Sequence, residues 1–220
     1  MHKFTTQFVE FCEKNLTIEQ GISYGYKSLP ICLIDCVYSL RAKYYSVTIP
    51  VVQRYADAFL GGNMYSAADT ISQFIHHMDE IGHQAFADNV VKNHQKLGGN
   101  IPKEEVCYKL AQYLHYLHIE TLEDFQQFES PELLEIVIKA VKGLGDAGTN
   151  YLFMLAGDAD RCKPDVHIHH CIKDACGCNI SNDECQTLFT DAVAIMKEKH
   201  PGLTVRMLDG IIWRKYQAKS

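Results

Sequence analysis

Apolar side chains recur at helical spacing along almost the whole chain, and proline and glycine interrupt them at short intervals. Pro50, Pro102 and Pro131 stand where the first turn of a helix tolerates proline, and Gly61-Gly62 and Gly98-Gly99 stand where helices end. Further helix starts are marked by the capping pairs Thr121/Asp124 and Ser181/Glu184. Because no stretch alternates apolar and polar residues over a useful length, the sequence predicts an all-α fold of about ten short helices.

One segment of this pattern is apolar on nearly every face. In residues 30–44 the apolar pattern is interrupted mainly by Asp35, as expected of a central buried helix. Of the 220 residues, 47% are hydrophobic and 22% are charged, which excludes a disordered chain and a collagen-like fibre. The chain is therefore expected to bury a core of its own.

The sequence also bears on where the protein resides. No stretch reaches the roughly 18 to 20 apolar residues that a membrane-spanning helix needs. Residues 1–4 lack the apolar segment of a secretory signal, and the nine cysteines are an odd number, which a complete disulfide framework cannot use. We therefore expect a cytoplasmic protein, associated with the nucleoid if its source is bacterial, with reduced thiols and no membrane partner.

The charge is acidic overall but unevenly distributed. The chain has 21 Lys and Arg residues against 27 Asp and Glu residues, a net charge of −6. This total disfavours nucleic-acid binding, whose affinity depends on cations. Residues 196–220 nevertheless contain six Lys or Arg residues and two acids. A local basic face is therefore predicted at the C-terminal end.

A glycine-containing turn joins two of the predicted helices. The helix that begins at Pro131 stops at Gly143, and another begins near Asp146. Gly143 and Gly145 suit such a turn because glycine accepts positive φ and lets another backbone approach closely. The unpaired N–H groups at the start of the second helix bind anions such as a DNA phosphate. An ordinary glycine helix stop is the alternative, and the turn alone leaves both interpretations open.

The same glycines match a dinucleotide-binding pattern. Gly143-x-Gly145-x-x-Gly148 has the required spacing, and Asp165 lies where a ribose-binding acid would be expected. That motif must follow a β-strand, whereas the residues before Gly143 have helical spacing. Asp165 follows Pro164 instead of ending a strand. We therefore disfavour this interpretation and expect no nucleotide cofactor.

The chain resembles the helix–hairpin–helix DNA glycosylases of base-excision repair, the superfamily of endonuclease III. The family pattern is a Leu-Pro-Gly-Val-Gly hairpin, a helix, and an acid in a (Val/Pro)-Asp-x-His-(Ile/Val) context. The counterparts here are Val-Lys-Gly-Leu-Gly at residues 141–145 and Pro-Asp-Val-His-Ile at residues 164–168. Residues 35–41 also resemble the end of the helix that begins the family's barrel domain, so the resemblance covers residues 30–175.

The resemblance implies an all-α fold of two lobes, with double-stranded DNA containing a lesion as the partner. One lobe is a helical barrel over residues 30–158, with the helix–hairpin–helix at 131–157. The other lobe is formed by both chain ends, residues 1–29 and 159–220. The DNA contacts that it implies around the hairpin are Lys142, Gly143, Leu144, Gly145, Gly148 and Thr149.

Asp165 takes the catalytic position in this comparison. A carboxylate stabilises the positive charge that develops on the sugar and orients the attacking water. Asp165 is also a natural N-cap for a helix that starts at Val166, and the two roles are compatible. Family members that also cleave the strand have a lysine nucleophile where this chain has Ala147.

The expected activity is therefore that of a monofunctional DNA N-glycosylase. Such an enzyme hydrolyses the N-glycosidic bond of a damaged or mismatched base and leaves an abasic site. The alternative is a non-catalytic DNA-binding or partner-binding module with a glycosylase-like fold, which the acidic total and the absence of a lysine at Ala147 favour. The retained Asp165 favours the enzyme.

Several nearby residues have weaker assignments. Arg41 matches a position from which the family fills the gap left by an extruded base, although a solvated arginine at a helix end is the simpler explanation. Lys142 and Lys163 are expected phosphate contacts, whereas Asp146 would repel a phosphate. The aromatic residues that would either stack on the extruded base or belong to the core are Tyr24, Tyr26, Tyr44 and Tyr45.

No metal centre is predicted. The family's iron–sulfur cluster uses the spacing Cys-x6-Cys-x2-Cys-x5-Cys, whereas the spacings here are x4, x1 and x6 across Cys171, Cys176, Cys178 and Cys185. The group His167-x-His169-His170 resembles a metal-hydrolase motif but does not stand at a strand end. A monovalent ion held by hairpin carbonyl groups is common in the family and leaves no trace in a sequence.

Overall fold

The computed structural model describes residues 1–18 and 25–218. These residues are mostly helical, which confirms the predicted all-α class. The α-helices are α1 Thr5–Asn15, α2 Leu29–Ser39, α3 Ile49–Phe59, α4 Ile71–Ile81, α5 His83–Ala85, α6 Lys103–Tyr116, α7 Leu122–Gln126, α8 Pro131–Lys139, α9 Gly145–Leu155, α10 Val166–Cys176, α11 Asn182–Met196 and α12 Val205–Gln217. Two π-helical segments, Tyr44–Thr48 and Phe86–Val91, and two short antiparallel strands, β1 Lys96–Leu97 and β2 Ile101–Pro102, complete the described structure.

Helices begin at the capping residues that the sequence contains. Thr121 before α7 and Ser181 before α11 each form both hydrogen bonds of a capping box, with Asp124 and Glu184. Proline occupies the first turn of α3 and of α8. These starts are confirmed because each satisfies, or removes, an N–H group that a helix would otherwise leave unpaired.

The described residues fall into two compact units. One unit is Gly25–Gly157, and the other combines Met1–Tyr24 with Asp158–Ser220. The sequence predicted the boundaries between the two units at two positions, between residues 29 and 30 and between residues 158 and 159. Within residues 1–18 and 25–218, no helix is both long and apolar enough to cross a membrane.

Helix α2 is the centre of the 25–157 unit. Its residues from Leu29 to Tyr38 are all buried, and they pack against α3, α6 and α9. Asp35 is buried within this helix, and its carboxylate accepts hydrogen bonds from the hydroxyl groups of Tyr26 at 2.6 Å, Tyr44 at 2.8 Å and Tyr151 at 2.9 Å. The buried acid therefore joins α2 to the Tyr44–Thr48 segment and to α9.

This arrangement decides between the two interpretations of two of the tyrosines. Tyr26 and Tyr44 donate to Asp35, so their hydroxyl groups stabilise the core of the unit. Tyr45 is 59% exposed and remains at the surface. Tyr24 lies outside the described residues.

Helix α2 is shorter than its apolar pattern predicts. It ends at Ser39 instead of continuing to Tyr44, and Arg41 has a left-handed backbone with φ +55°. The ammonium of Lys103, which is 1% exposed, donates to the carbonyl oxygens of Tyr38 at 3.0 Å and Leu40 at 2.8 Å. A cation from α6 thus satisfies carbonyl groups at the end of α2, and the chain turns there.

The unit of the chain ends has a separate core. Helix α1 packs against α10 and α11, and α12 packs against the same two helices. Phe8 of α1 and Phe189 of α11 are fully buried, with ring centroids 5.3 Å apart. Both ends of the sequence therefore contribute to one apolar cluster.

Candidate functional site

The turn between α8 and α9 has the conformation that its glycines predict. Gly143 has φ +102° and Gly145 has φ +62°, whereas Leu144 between them is 3% exposed and packs into the core. A Cβ atom on Gly143 would lie only 3.1 Å from Cδ1 and 3.2 Å from Cβ of Leu97 in strand β1. Gly143 is therefore required both for its backbone conformation and for this close approach.

The first turn of α9 presents backbone donors. Leu144 occupies the N-cap position and provides no side-chain cap. Gly145 and Ala147 lie in this first turn, where a helix offers no acceptor of its own to the backbone N–H groups. Such N–H groups bind anions together with the helix dipole. Asp146 in the same turn forms an ion pair with Lys139, with Nζ and Oδ1 2.5 Å apart, and this offsets the negative charge that would repel a phosphate.

Gly148 and Thr149, which the sequence assigned to the DNA surface, are buried instead. A Cβ on Gly148 would lie 3.0 Å from Cγ of Leu144, and the Gly148 carbonyl accepts the Cys36 thiol at 3.1 Å. Thr149 is 1% exposed, and its hydroxyl donates to the carbonyl of Gly145 at 2.8 Å. Like Leu144, these residues face the core and hold the turn in place, so they do not form a surface for a ligand.

Lys142 and Arg41 remain exposed. Lys142 extends across the turn between β1 and β2, and it also borders a cavity of about 290 Å³. The residues that line this cavity are His83, Ile101, Glu105, Val106, Tyr108, Lys109, Val141 and Lys142. The hairpin therefore has a cation and an open cavity next to it.

Asp165 is the N-cap of α10, as the sequence predicts. Its Oδ1 accepts the N–H groups of His167 at 2.9 Å and Ile168 at 3.2 Å. No hydrogen bond to Oδ2 is found from residues 1–18 or 25–218, and the side chain is half-buried. One oxygen of the carboxylate therefore fixes its orientation, and the other accepts no hydrogen bond from the described residues.

A second carboxyl group, that of Asp209 on α12, lies near Asp165. Asp209 is 4% exposed, and its Oδ2 accepts the backbone N–H of Lys163 at 2.8 Å. The carbonyl of Lys163 in turn accepts the N–H of Asp165 at 2.7 Å. The backbone of Lys163 thus connects the two acids and fixes the turn through Pro164.

Burial makes Asp209 a weak acid. Burial, followed by the nearby charge of Asp165, raises the pKa of Asp209 to about 8. The Lys163 N–H and the charges of Lys163 and Arg206 act in the opposite direction but are weaker. Asp209 is therefore largely protonated at neutral pH. A strongly shifted carboxyl group beside a second acid is a common feature of functional sites.

The histidines after Asp165 do not converge on one point. The ring of His167 lies edge-on to Trp213, with centroids 6.0 Å apart, and its buried Nδ1 has no hydrogen-bond partner among the described residues. His169 bonds through Nε2 to the side chain of Asn182 at 3.0 Å, whereas His170 is exposed.

The cysteines with the irregular spacing are free thiols. Cys171, Cys176 and Cys185 are buried, and burial raises the pKa of each to between about 11 and about 12. Cys178 is half-buried. In the described parts of the chain, no group of three or more His, Cys, Asp or Glu side chains is placed to hold a metal ion.

A family profile described as a domain of unknown function, DUF8548, matches residues 6–218. The chain belongs to the DUF8548 family. The match includes the hairpin, Asp165 and Asp209, so the family is defined over both units and not over one motif. No curated protein matches this sequence.

In this DUF8548 protein, Asp209 is the site residue that the sequence analysis missed. It stands on α12 among Val205, Leu208 and Ile212, which are all buried. This helical spacing places Asp209 on the apolar face of the helix. A charged residue among apolar ones is the sequence feature that would have indicated a candidate site residue here. The contact with Lys163, which lies far away in sequence, becomes apparent only in the structure.

Proposed function

We propose that this DUF8548 protein is a monofunctional DNA N-glycosylase with a helix–hairpin–helix fold. It removes a damaged or mismatched base from duplex DNA by hydrolysing the N-glycosidic bond. The observation that carries the proposal is the carboxylate of Asp165, with one oxygen held by two backbone N–H groups and the other without a partner among the described residues. In the sequence, this acid is the counterpart of the catalytic aspartate that the glycosylase resemblance implies.

Asp165 supplies the chemistry in this proposal. The bond between the sugar C1′ and the base nitrogen breaks, and its electron pair leaves with the base. The remaining oxygen of Asp165 stabilises the positive charge on the sugar and orients a water molecule. The water oxygen bonds to C1′, and the proton that it loses passes to the Asp165 carboxylate and from there, through solvent, to the departing base. The N–H groups of His167 and Ile168 keep the carboxylate in one orientation, which reduces the reorganisation needed during reaction.

The α8–α9 hairpin supports DNA as the partner. Its exposed glycines, the uncapped start of α9 and the exposed Lys142 suit a phosphate. The ion pair between Lys139 and Asp146 answers one objection to this assignment, the acid in the first turn of α9.

Ala147 determines the type of product. An alanine provides no amine in the first turn of α9, so no Schiff base forms there and the DNA strand stays intact. We expect that borohydride treatment during the reaction traps no covalent complex between protein and DNA.

The proposal is tested with a panel of duplexes that contain deaminated, alkylated, oxidised or mismatched bases. Wild type should generate alkali-labile sites in at least one duplex, and Asp165→Asn should lower that rate by about 100-fold or more. Asparagine is also a good N-cap, so α10 should be retained and DNA binding should persist. The matched control is Asp183→Asn, which removes an exposed acid at the start of α11 and should leave the rate unchanged.

Two results would contradict this function. If no duplex in the panel becomes alkali-labile while the protein binds DNA in a salt-dependent way, the protein is the non-catalytic binding module. If no DNA binding is detected even at low salt, both assignments are wrong.

A further inference from the structure

We propose that the exposed turn between β1 and β2 is a second phosphate-binding element, which holds the DNA backbone next to the α8–α9 hairpin. The element comprises Gly98, Gly99 and Asn100 together with the cations Arg41 and Lys142, and is called the cationic turn below. This inference rests on the proposed function, because it assigns a further contact with the same DNA partner.

Two cations lie against the glycines of this turn. The guanidinium Nη1 of Arg41 lies 3.9 Å from the position that a Cβ on Gly98 would occupy. The ammonium of Lys142 lies 3.6 Å from the corresponding position on Gly99. All five members are exposed, so their charges and backbone groups face solvent. Glycine lets a polyanion approach the backbone closely, as a DNA strand requires.

The charges of these two cations are not balanced by an acid in the described part of the chain. Neither Arg41 nor Lys142 forms an ion pair within residues 1–18 and 25–218. Lys139, nearby in sequence, is instead paired with Asp146. In a chain with a net charge of −6, two unpaired cations on one turn mark a local site for an anion.

Buried contacts hold the cationic turn in position. The buried Lys103 bonds to the carbonyl of Leu40, just before Arg41, at 2.8 Å and to the side chain of Gln95, just before β1, at 3.0 Å. At the other side, Leu97 packs directly against Gly143, next to Lys142. The backbone of the site is therefore preorganised, which reduces the conformational entropy that is lost on binding.

The arrangement favours a phosphodiester backbone as the occupant. The cationic turn adjoins the α8–α9 hairpin through the Leu97–Gly143 contact, so two turns with exposed glycines lie side by side. A duplex presents regularly spaced phosphates that can reach both turns, and each neutralised phosphate releases counterions. Direct contacts of this kind position the protein without reading the sequence of bases.

The test uses a matched pair of variants at Gly98. Its φ lies outside the left-handed region and the nearest neighbour of an added Cβ is 3.9 Å away, so the fold should tolerate a small side chain. Gly98→Asp places a carboxylate in contact with Arg41, where it neutralises the cation and repels a phosphate. Gly98→Asn has the same shape without the charge. Gly202→Asp introduces the same charge at an exposed glycine with open space around it.

Binding of a fluorescent duplex to the full chain is measured by anisotropy between 50 and 200 mM salt. The logarithm of the binding constant falls linearly with the logarithm of the salt concentration, with a slope of about −0.9 for each phosphate that the protein neutralises. Loss of one phosphate contact should therefore make the slope of Gly98→Asp smaller in magnitude than that of Gly98→Asn by about 0.9. Gly202→Asp should retain the wild-type slope. Equal slopes for the two Gly98 variants would overturn the inference and leave the glycosylase proposal standing.

Other outcomes separate this inference from the proposed function. A reduced slope in Gly98→Asp, with no cleavage of any lesion duplex, supports the cationic turn and rejects the enzyme. Absence of duplex binding by wild type overturns both. Binding of poly-glutamate, weakened by Gly98→Asp, without duplex binding would assign the turn to an acidic peptide and also overturn the inference.

Discussion

Asp209 shows how a single buried residue links stability to pH. Its carboxyl group is held in an apolar core, close to the charge of Asp165, and this raises its pKa from 3.8 to about 8. The folded state binds this proton more tightly than the unfolded chain does, so protonation of Asp209 stabilises the fold. The stabilisation is complete below about pH 4, the pKa of the carboxyl group in the unfolded chain. This stabilisation is lost as the pH rises through 8.

Asp209→Asn removes this dependence and keeps the acceptor for the Lys163 N–H. We expect the free energy of unfolding of wild type to fall by a few kcal/mol more than that of the variant between pH 5 and pH 8. Urea denaturation at the two pH values measures this difference. Asp183→Asn, at an exposed position, should behave as wild type. Identical pH dependence in wild type and Asp209→Asn would show that Asp209 is not protonated in the folded protein.

At the scale of the secondary-structure elements, the two hairpin glycines are equivalent in sequence and different in structure. Both have positive φ, which an alanine adopts at a cost of about 1 to 2 kcal/mol. An added Cβ on Gly145 meets no atom within 4 Å, whereas on Gly143 it meets the Leu97 side chain at 3.1 Å. Only Gly143 combines the unusual backbone with close packing against β1.

This difference predicts unequal stability losses in two variants. Gly145→Ala should lower the free energy of unfolding by about 1 kcal/mol, through its backbone conformation alone. Gly143→Ala should lower it by about 2 to 4 kcal/mol, because Leu97 must also move. Chemical denaturation of both variants under one condition measures the difference. Equal losses would mean that β1 adjusts freely and that the close contact stabilises nothing.

The sequence predicted elements well where one residue determines a boundary locally. Pro50 and Pro131 in first turns and the capping boxes at Thr121 and Ser181 act within one turn of a helix, and the structure confirms them. Pro102 instead lies in β2, at the N-cap position before α6. The end of α2 was wrong because it depends on Lys103 of α6, which reaches the Tyr38 and Leu40 carbonyls from a distant part of the chain. Periodicity carries no information about such a contact.

The β1–β2 ribbon and the two π-helical segments were missed for a related reason. Strands of two residues are too short to show alternation, and a π-helical segment such as Phe86–Val91 retains apolar residues at nearly helical spacing. The same limit applies to the site. The motif identified Asp165 as an N-cap acid, whereas Asp209 is recognised only through its bond to Lys163.

At the scale of the whole molecule, each unit has its own apolar core. The cluster around α2 draws every member from residues 25–157. The second cluster requires both chain ends, because Phe8 and Cys12 of α1 are fully buried among residues of α10, α11 and α12. The first unit is therefore continuous in sequence, and the second is completed only when the N-terminal helix returns to it.

This difference predicts the behaviour of two fragments. Residues 25–157 expressed alone should be helical by circular dichroism and should unfold cooperatively in urea, because their core is complete. Residues 158–220 alone should show no cooperative transition, since the loss of Phe8 and Cys12 leaves a cavity among three short helices. Addition of a peptide of residues 1–24 should restore helical signal to the second fragment. A non-cooperative 25–157 fragment, or a cooperative 158–220 fragment, would show that the two cores are not the independent units that their packing indicates.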